Sequence, residues 1–237
     1  MPVAIVTGSD SGIGRATAVA LARDGFAVGV TWHRDEAGAR ETAREIESAG
    51  AQSEVRRLDL IEVPDCADVV DELADALGGV DVFVNNAGTS RRAPFVDLTW
   101  SDWRETLAVD LDGAFVCAQR AARRMIAQGH GGRIVNVTSV HEHIPLPDAA
   151  PYVVAKHGLG ARRRAGEPSG DPARPARRRT RDRLARQLAC LAGRRVCDRA
   201  LVRDRRRPAA DGSGRASRET GRLPWYLAPA VRRSRSR

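Results

Sequence analysis

Three residues near the middle of this 237-residue chain have types and spacing suited to proton transfer: Ser139, Tyr152 and Lys156. Tyr152-Val153-Val154-Ala155-Lys156 reads as the opening of a helix that begins at Pro151, and residues four apart share one helical face. An ammonium beside a phenol favours the phenolate. With an unperturbed pKa of about 10, the phenol needs such help to serve as an acid or base near neutrality. Ser139, at the end of a short apolar run upstream, can hold the substrate oxygen that the phenol protonates. A tyrosine and a lysine at this spacing arise in many helices by chance, and it is the upstream serine that makes them a constellation.

A second chemistry-bearing stretch lies near the start, Thr7-Gly8-Ser9-Asp10-Ser11-Gly12-Ile13-Gly14, between the strand-like Val3–Val6 and a helical pattern from Gly12 to Ala22. Gly8, Gly12 and Gly14 permit a tight turn and a close backbone approach, while Ser11, Ile13 and the helix N-terminus present N–H groups to an anion such as a pyrophosphate. A plain glycine loop is the alternative, made weaker by the strand directly before it. At the end of the second strand an acid would bind a ribose 2′-OH and a cation a 2′-phosphate. Thr31-Trp32-His33-Arg34 carries no acid, which points to a 2′-phosphate met by Arg34 and His33, unless Arg34 merely opens the next helix beside Asp35 and Glu36. Asp59, followed by Leu60, sits where a carboxylate could accept from an adenine amino group or simply cap a turn. In Asn85-Asn86-Ala87-Gly88, Asn86 is expected to be part architecture and part cofactor contact.

These residues need a scaffold that brings strand ends together, and the chain predicts one. Strands at Val3–Val6, Ala27–Trp32, Glu54–Leu60, Val80–Asn85 and Arg133–Ser139 alternate with helices at Gly12–Ala22, Asp35–Ala49, Val63–Leu77, Trp100–Gln128 and from Pro151. The β-α-β-α order predicts an α/β fold, a Rossmann-like doubly wound parallel sheet with helices on both faces.

Charge divides the chain at Gly160. Residues 1–160 hold 15 Lys and Arg against 23 Asp and Glu, whereas residues 161–237 hold 24 Arg against 7 acids, so the net +9 comes wholly from the second part. Cys66, Cys117, Cys190 and Cys197 form no C-x-x-C pair and are expected to be free thiols, with no zinc site or disulfide framework. No apolar run at the start is long enough for a signal peptide or a membrane span, which predicts a soluble cytoplasmic protein without a membrane partner.

Thr-Gly-x3-Gly-Ile-Gly, Asn-Asn-Ala-Gly and Ser…Tyr-x3-Lys, in that order, resemble the short-chain dehydrogenase/reductase family, over residues 1 to about 160. The Val109–Phe115 and Thr138–Asp148 segments resemble bacterial carbonyl reductases of the acetoin (diacetyl) and 3-oxoacyl kind. The resemblance implies hydride transfer between NADP, or NAD, and a small carbonyl or alcohol substrate. It also implies Ser139, Tyr152 and Lys156 as catalytic residues, with no metal, and a homodimer or homotetramer built on the long helices. Asp110 occupies the position where many members have an asparagine that completes a proton relay, and an ionised Asp can accept but not donate. His141 and His143 either line the substrate pocket or are exposed loop residues.

Residues 161–237 do not continue the pattern. They contain no Ile, Phe, Met, Lys, Asn or His and are dominated by Arg, Ala, Gly and Pro, a composition that can hardly build a core. The missing residues mostly have A/T-rich codons and the abundant ones G/C-rich codons, which predicts a frameshift near Gly158 to Ala161. Strands six and seven would then be missing or disordered, and the product marginal, aggregating or catalytically defective. A nucleic-acid-binding arm is the other reading of the arginines, disfavoured because they are scattered among prolines and glycines rather than regularly interleaved with aromatic residues that stack bases. Translating the coding DNA in the other two frames is expected to reveal a family-like continuation after codon 160, and its absence in both frames would remove the frameshift.

Overall fold

The computed structural model describes residues 1–165. The expectations for the arginine-rich segment, including its origin, its strands and Cys190 and Cys197, lie outside the described residues.

Apolar β-rich runs form five parallel strands: β1 Val3–Val6, β2 Ala27–Trp32, β3 Ser53–Arg57, β4 Val82–Asn85 and β5 Arg133–Asn136. Their order across the sheet is β3-β2-β1-β4-β5. The winding therefore reverses between β1 and β4, whose register pairs Ala4 with Val82 and Val6 with Val84. A crevice outside the carboxyl ends of two such strands is where ligands bind in doubly wound sheets.

Strand side chains alternate faces, so each strand supplies two cores. On one face Ala4, Val6, Val28, Val30, Val82 and Val84 pack with Leu21 of α1 (Gly12–Arg23) and with Ala39 and Ile46 of α2 (Glu36–Ser48). On the other, Ile5 and Phe83 pack with Val70 and Leu73 of α3 (Asp68–Leu77). Helices on both faces, as predicted, leave β1 and β4 buried throughout.

Several boundaries differ from the expected ones. The α2 helix is bracketed by Asp35, whose carboxylate accepts from the Gly38 N–H at 2.8 Å, and by Ala49, so both are caps outside the helix. Strand β3 stops at Arg57 rather than Leu60, because the chain turns where the Asp59 carboxylate accepts from the Ile61 N–H. The helix expected from Val63 starts at Asp68, after a single 3₁₀ turn at Asp65–Ala67; Pro64 just before that turn has no N–H to give. Strand β4 begins at Val82 rather than Val80, and β5 ends at Asn136, short of Ser139.

The helix expected over Trp100–Gln128 is three segments: α4 Trp100–Leu107, a wide π turn Ala108–Gly113, and α5 Ala114–Ala127. A Thr99 and Asp102 capping box starts it. Two arginines of α5 hold it to α3, Arg120 to Asp68 at 3.0 Å and Arg124 to Asp71 and Asp75, each at 2.6 Å. The last described helix, α6, is Ala150–Ala165. Cys66 and Cys117, remote in sequence, meet across this face as buried free thiols, with Cys117 Sγ 3.9 Å from the Cys66 carbonyl oxygen. Among the described residues no helix is long and apolar enough to cross a membrane.

Phe83 is fully buried at the middle of the second core. Phe83→Ala is expected to cost about 3–5 kcal/mol, read as a lowered midpoint in denaturant titration. A loss under 1 kcal/mol would contradict this packing.

Candidate active site

The glycine turn after β1 is cross-braced from three directions. Ser9 Oγ donates to the Val6 carbonyl at 2.8 Å and accepts the Thr31 N–H at 3.0 Å. Thr31 Oγ1 accepts the Gly8 N–H at 3.0 Å. Arg15 Nη2 donates to the carbonyls of Asp10 and Gly38 at 2.8 and 3.0 Å. The Ser11 side chain makes no cap at the start of α1, so the first-turn N–H groups are not closed off by that hydroxyl. Gly12 has φ +53°, with open space where a Cβ would project, whereas a Cβ on Gly14 would lie 2.0 Å from the Gly8 oxygen and 2.5 Å from Asn86 Nδ2. This is a cradle that only glycines can form, and it borders a cavity of about 690 Å³.

Asn86 turns out to be a brace. Its Nδ2 donates to the carbonyls of Thr7 and Gly8, both at 2.9 Å, tying the loop after β4 to the loop after β1. Both amide hydrogens are spent there, which leaves Oδ1 as its remaining polar atom. Thr7, which the spacing argument passed over, completes the tie: its Oγ1 accepts the N–H groups of Asn86 and Ala87, each at 3.0 Å. A hydroxyl residue directly after a strand was the available signal. Asn85 braces the other side, donating to Asn136 Oδ1 at 2.9 Å and to the Ala114 carbonyl at 3.2 Å.

The same cavity is lined by Gly8, Ser11, Gly12, Ile13, Gly14, His33, Arg34, Asp59, Leu60, Asn86, Ala87 and Gly88, gathered from four separate stretches of chain. His33 and Asp59, considered separately on sequence, form a pair, with Nε2 and Oδ2 3.1 Å apart; Arg57 Nη2 adds a contact at 3.2 Å. Burial pushes the Asp59 carboxyl up, but the Ile61 N–H, His33 and Arg57 outweigh it and hold its pKa below the usual value. Arg34 remains exposed at the cavity wall.

Lys156 and Asp110 make the second centre. Lys156 Nζ lies 3.5 Å from Asp110 Oδ2, and the two side chains are 5% and 0% exposed. Asp110 Oδ1 accepts the Thr89 N–H at 2.6 Å. Burial raises the Asp110 pKa, opposed by the Lys156 charge and by the Thr89 N–H, with a net rise. The π turn accounts for the position of Asp110, because its extra residue per turn widens the helix at that point. On its other side Lys156 Nζ lies over the Tyr152 ring, 5.5 Å from the centroid. The i, i+4 spacing in α6 thus brings cation and phenol together.

Ser139 does not close a strand. In extended conformation it caps a 3₁₀ turn at Val140–Glu142, its Oγ accepting the His141 N–H at 3.2 Å. With that lone pair used, its O–H is left to donate. The turn sets the His141 ring edge-to-face with Tyr152, centroids 6.5 Å apart. An apolar cavity of about 310 Å³ lies between Ala93–Leu98, Pro145–Asp148 and the start of α6.

A five-stranded parallel sheet with a glycine cradle at its switch point defines a dinucleotide-binding α/β protein. A family model described as short chain dehydrogenase matches residues 2–165, and the chain belongs to that family, which uses nicotinamide dinucleotides. It is 55% identical over 158 residues to the uncharacterized oxidoreductase YohF of Escherichia coli (strain K12), covering 67% of this chain and 62% of that protein. It is 37% identical over 157 residues to 3beta-hydroxysteroid dehydrogenase 1 of Eggerthella lenta, covering 66% and 60%. A solved acetoin dehydrogenase from Enterobacter cloacae matches with a TM-score of 0.68 at 55% identity, over 69% of this chain and 65% of that one. The chain spans about three fifths of the length of the curated relatives it matches.

Because the added methyl at Gly14 meets backbone rather than a yielding side chain, Gly14→Ala is expected to cost about 1–3 kcal/mol, seen as a lower Tm. An unchanged Tm would mean that the cradle is looser than described.

Proposed function

We propose that residues 1–165 form the dinucleotide-binding and proton-transfer parts of an NADP-dependent oxidoreductase acting on a small carbonyl compound or its alcohol. The observation that carries this reading is the Lys156 ammonium held between the buried Asp110 carboxylate and the Tyr152 ring. Gly8, Ser11, Gly12, Ile13 and Gly14 would hold the pyrophosphate at the N-terminus of α1. Leu60 and Asp59 would meet the adenine, and Asn86, Ala87 and Gly88 the nicotinamide-side ribose. Arg34, exposed where an NAD enzyme would place an acid, would pair with the 2′-phosphate, while His33, already paired to Asp59, contributes less. Bound nicotinamide supplies or accepts the hydride.

Tyr152 gives its hydroxyl proton to the substrate oxygen in reduction and takes one back in oxidation, the nearby ammonium favouring its phenolate. Ser139 donates its O–H to that oxygen and stabilises charge there. Asp110 keeps the ammonium in place and is itself fixed by the Thr89 N–H. No metal enters this scheme. The similarity to the solved acetoin dehydrogenase from Enterobacter cloacae supports a small hydroxyketone or diketone as substrate. Phe115, Ile126 and Val154 expose apolar surface along α5 and α6, which supports a homodimer or homotetramer through these helices.

A second reading is favoured by one coincidence: the family match ends at residue 165, close to the composition break at Gly160. On that reading the arginine-rich segment is not the family's own continuation, and the chain is a catalytically defective relative.

With full-length protein, steady NADPH oxidation on addition of diacetyl is expected, together with a rise in Tm on adding NADPH. Tyr152→Phe should lower kcat about 10²–10⁴-fold while leaving the NADPH-induced Tm rise intact. A Tm rise without turnover in the wild type would favour the second reading; turnover unaffected in Tyr152→Phe would overturn the role of the phenol.

A further inference from the structure

His141 has no part in the proton transfer described above, yet three contacts fix it beside Tyr152. Its N–H donates to Ser139 Oγ at 3.2 Å, its Nδ1 lies 3.0 Å from the Ile144 carbonyl oxygen, and its ring packs against Tyr152 with the planes 69° apart. A carbonyl oxygen only accepts, so Nδ1 carries the hydrogen. In the neutral ring Nε2 is then left with a lone pair and no proton. His143, by contrast, is exposed, its nearest acid being Glu142 at 3.8 Å.

We propose that His141 selects the substrate, its Nε2 accepting a hydrogen bond from a hydroxyl on the carbon adjacent to the one that reacts at Tyr152. The inference rests on the oxidoreductase reading above and ranks its substrates, placing α-hydroxy ketones and the vicinal diols formed from them above carbonyl compounds that lack the neighbouring hydroxyl. Ring centres 6.5 Å apart are close enough for one small molecule to reach polar atoms of both. The turn that orients the Ser139 hydroxyl also orients this acceptor, since the His141 N–H is the group bound to Ser139 Oγ. A site built to pair a substrate hydroxyl rejects an analogue lacking it, because the site's own polar group is then left without a partner.

Two ketones on one carbon skeleton, 3-hydroxybutan-2-one and butan-2-one, provide the test with full-length protein and NADPH. His141→Asn keeps an amide at the Nδ1 position, to hold the Ile144 carbonyl, but has nothing at Nε2; His141→Gln places an amide oxygen there. His141→Asn is expected to lower kcat/KM for 3-hydroxybutan-2-one about tenfold and to leave butan-2-one unchanged, with His141→Gln recovering part of the loss. Titrating the wild type with 3-hydroxybutan-2-one should shift the His141 ring nitrogen resonances in NMR, and butan-2-one should not. Parallel changes for the two ketones, or none, overturn the assignment to His141 and leave the oxidoreductase reading standing. Turnover of neither ketone by the wild type overturns that reading, and this inference with it.

Discussion

Lys156 keeps a charged ammonium where water reaches 5% of its side chain, and an uncompensated ion in such a place costs several kcal/mol. Its placement therefore depends on a carboxylate arriving from elsewhere, and Asp110 arrives from the π turn between α4 and α5. Asp110 is in turn buried and needs partners of its own, which are the Thr89 N–H at 2.6 Å and Lys156 itself. Three elements are thereby locked to one another: α6, the widened turn and the loop after β4. Removing either charge would strand the other, so the pair constrains the geometry of the centre more than it adds to net stability.

The glycine cradle follows a different principle. It is held mostly by neutral hydrogen bonds from Ser9, Thr31, Thr7 and Asn86 to backbone groups, with the half-buried Arg15 guanidinium adding two more to the carbonyls of Asp10 and Gly38. Each neutral bond contributes about 0.5–1.5 kcal/mol, and their number rather than their strength makes the turn rigid. Asn86 and Thr7 join the ends of β1 and β4, the two strands between which the winding reverses. The crevice walls are thus tied at their base while the mouth, where Ile13 and Arg34 lie, stays open to solvent.

Most of the layered fold was legible because it rests on local periodicity. Val3–Val6 and Ala27–Trp32 agree with the structure residue for residue, since both are apolar runs bounded by turn residues. Legibility failed where a side chain competes with the backbone or a helix departs from its regular pitch. Asp59 ends β3 early through its bond to the Ile61 N–H, Ser139 caps a 3₁₀ turn instead of finishing β5, and nothing in Ala108–Gly113 announces a π turn. The site residues were readable as chemical types, whereas their partners were not. The sequence places His33 near a phosphate without disclosing its pairing with Asp59, and it marks Asn86 as part architecture and part cofactor contact without disclosing that the carbonyls of Thr7 and Gly8 take its amide hydrogens.

The amino-acid order alone determined which groups could do chemistry and which short spacings would hold. The glycines, the Tyr152 and Lys156 interval and the alternation of strands and helices are all properties of neighbours along the chain. Tertiary structure alone decided that Lys156 meets Asp110, that His33 meets Asp59, that Asn86 closes on Thr7, and that His141 lies against Tyr152 in a defined tautomer. The first three contacts join residues 26 to 79 positions apart or bridge separate elements, and the last depends on one turn's hydrogen bonds. Such contacts arise from how packed layers bring chain segments together, which local spacing does not encode.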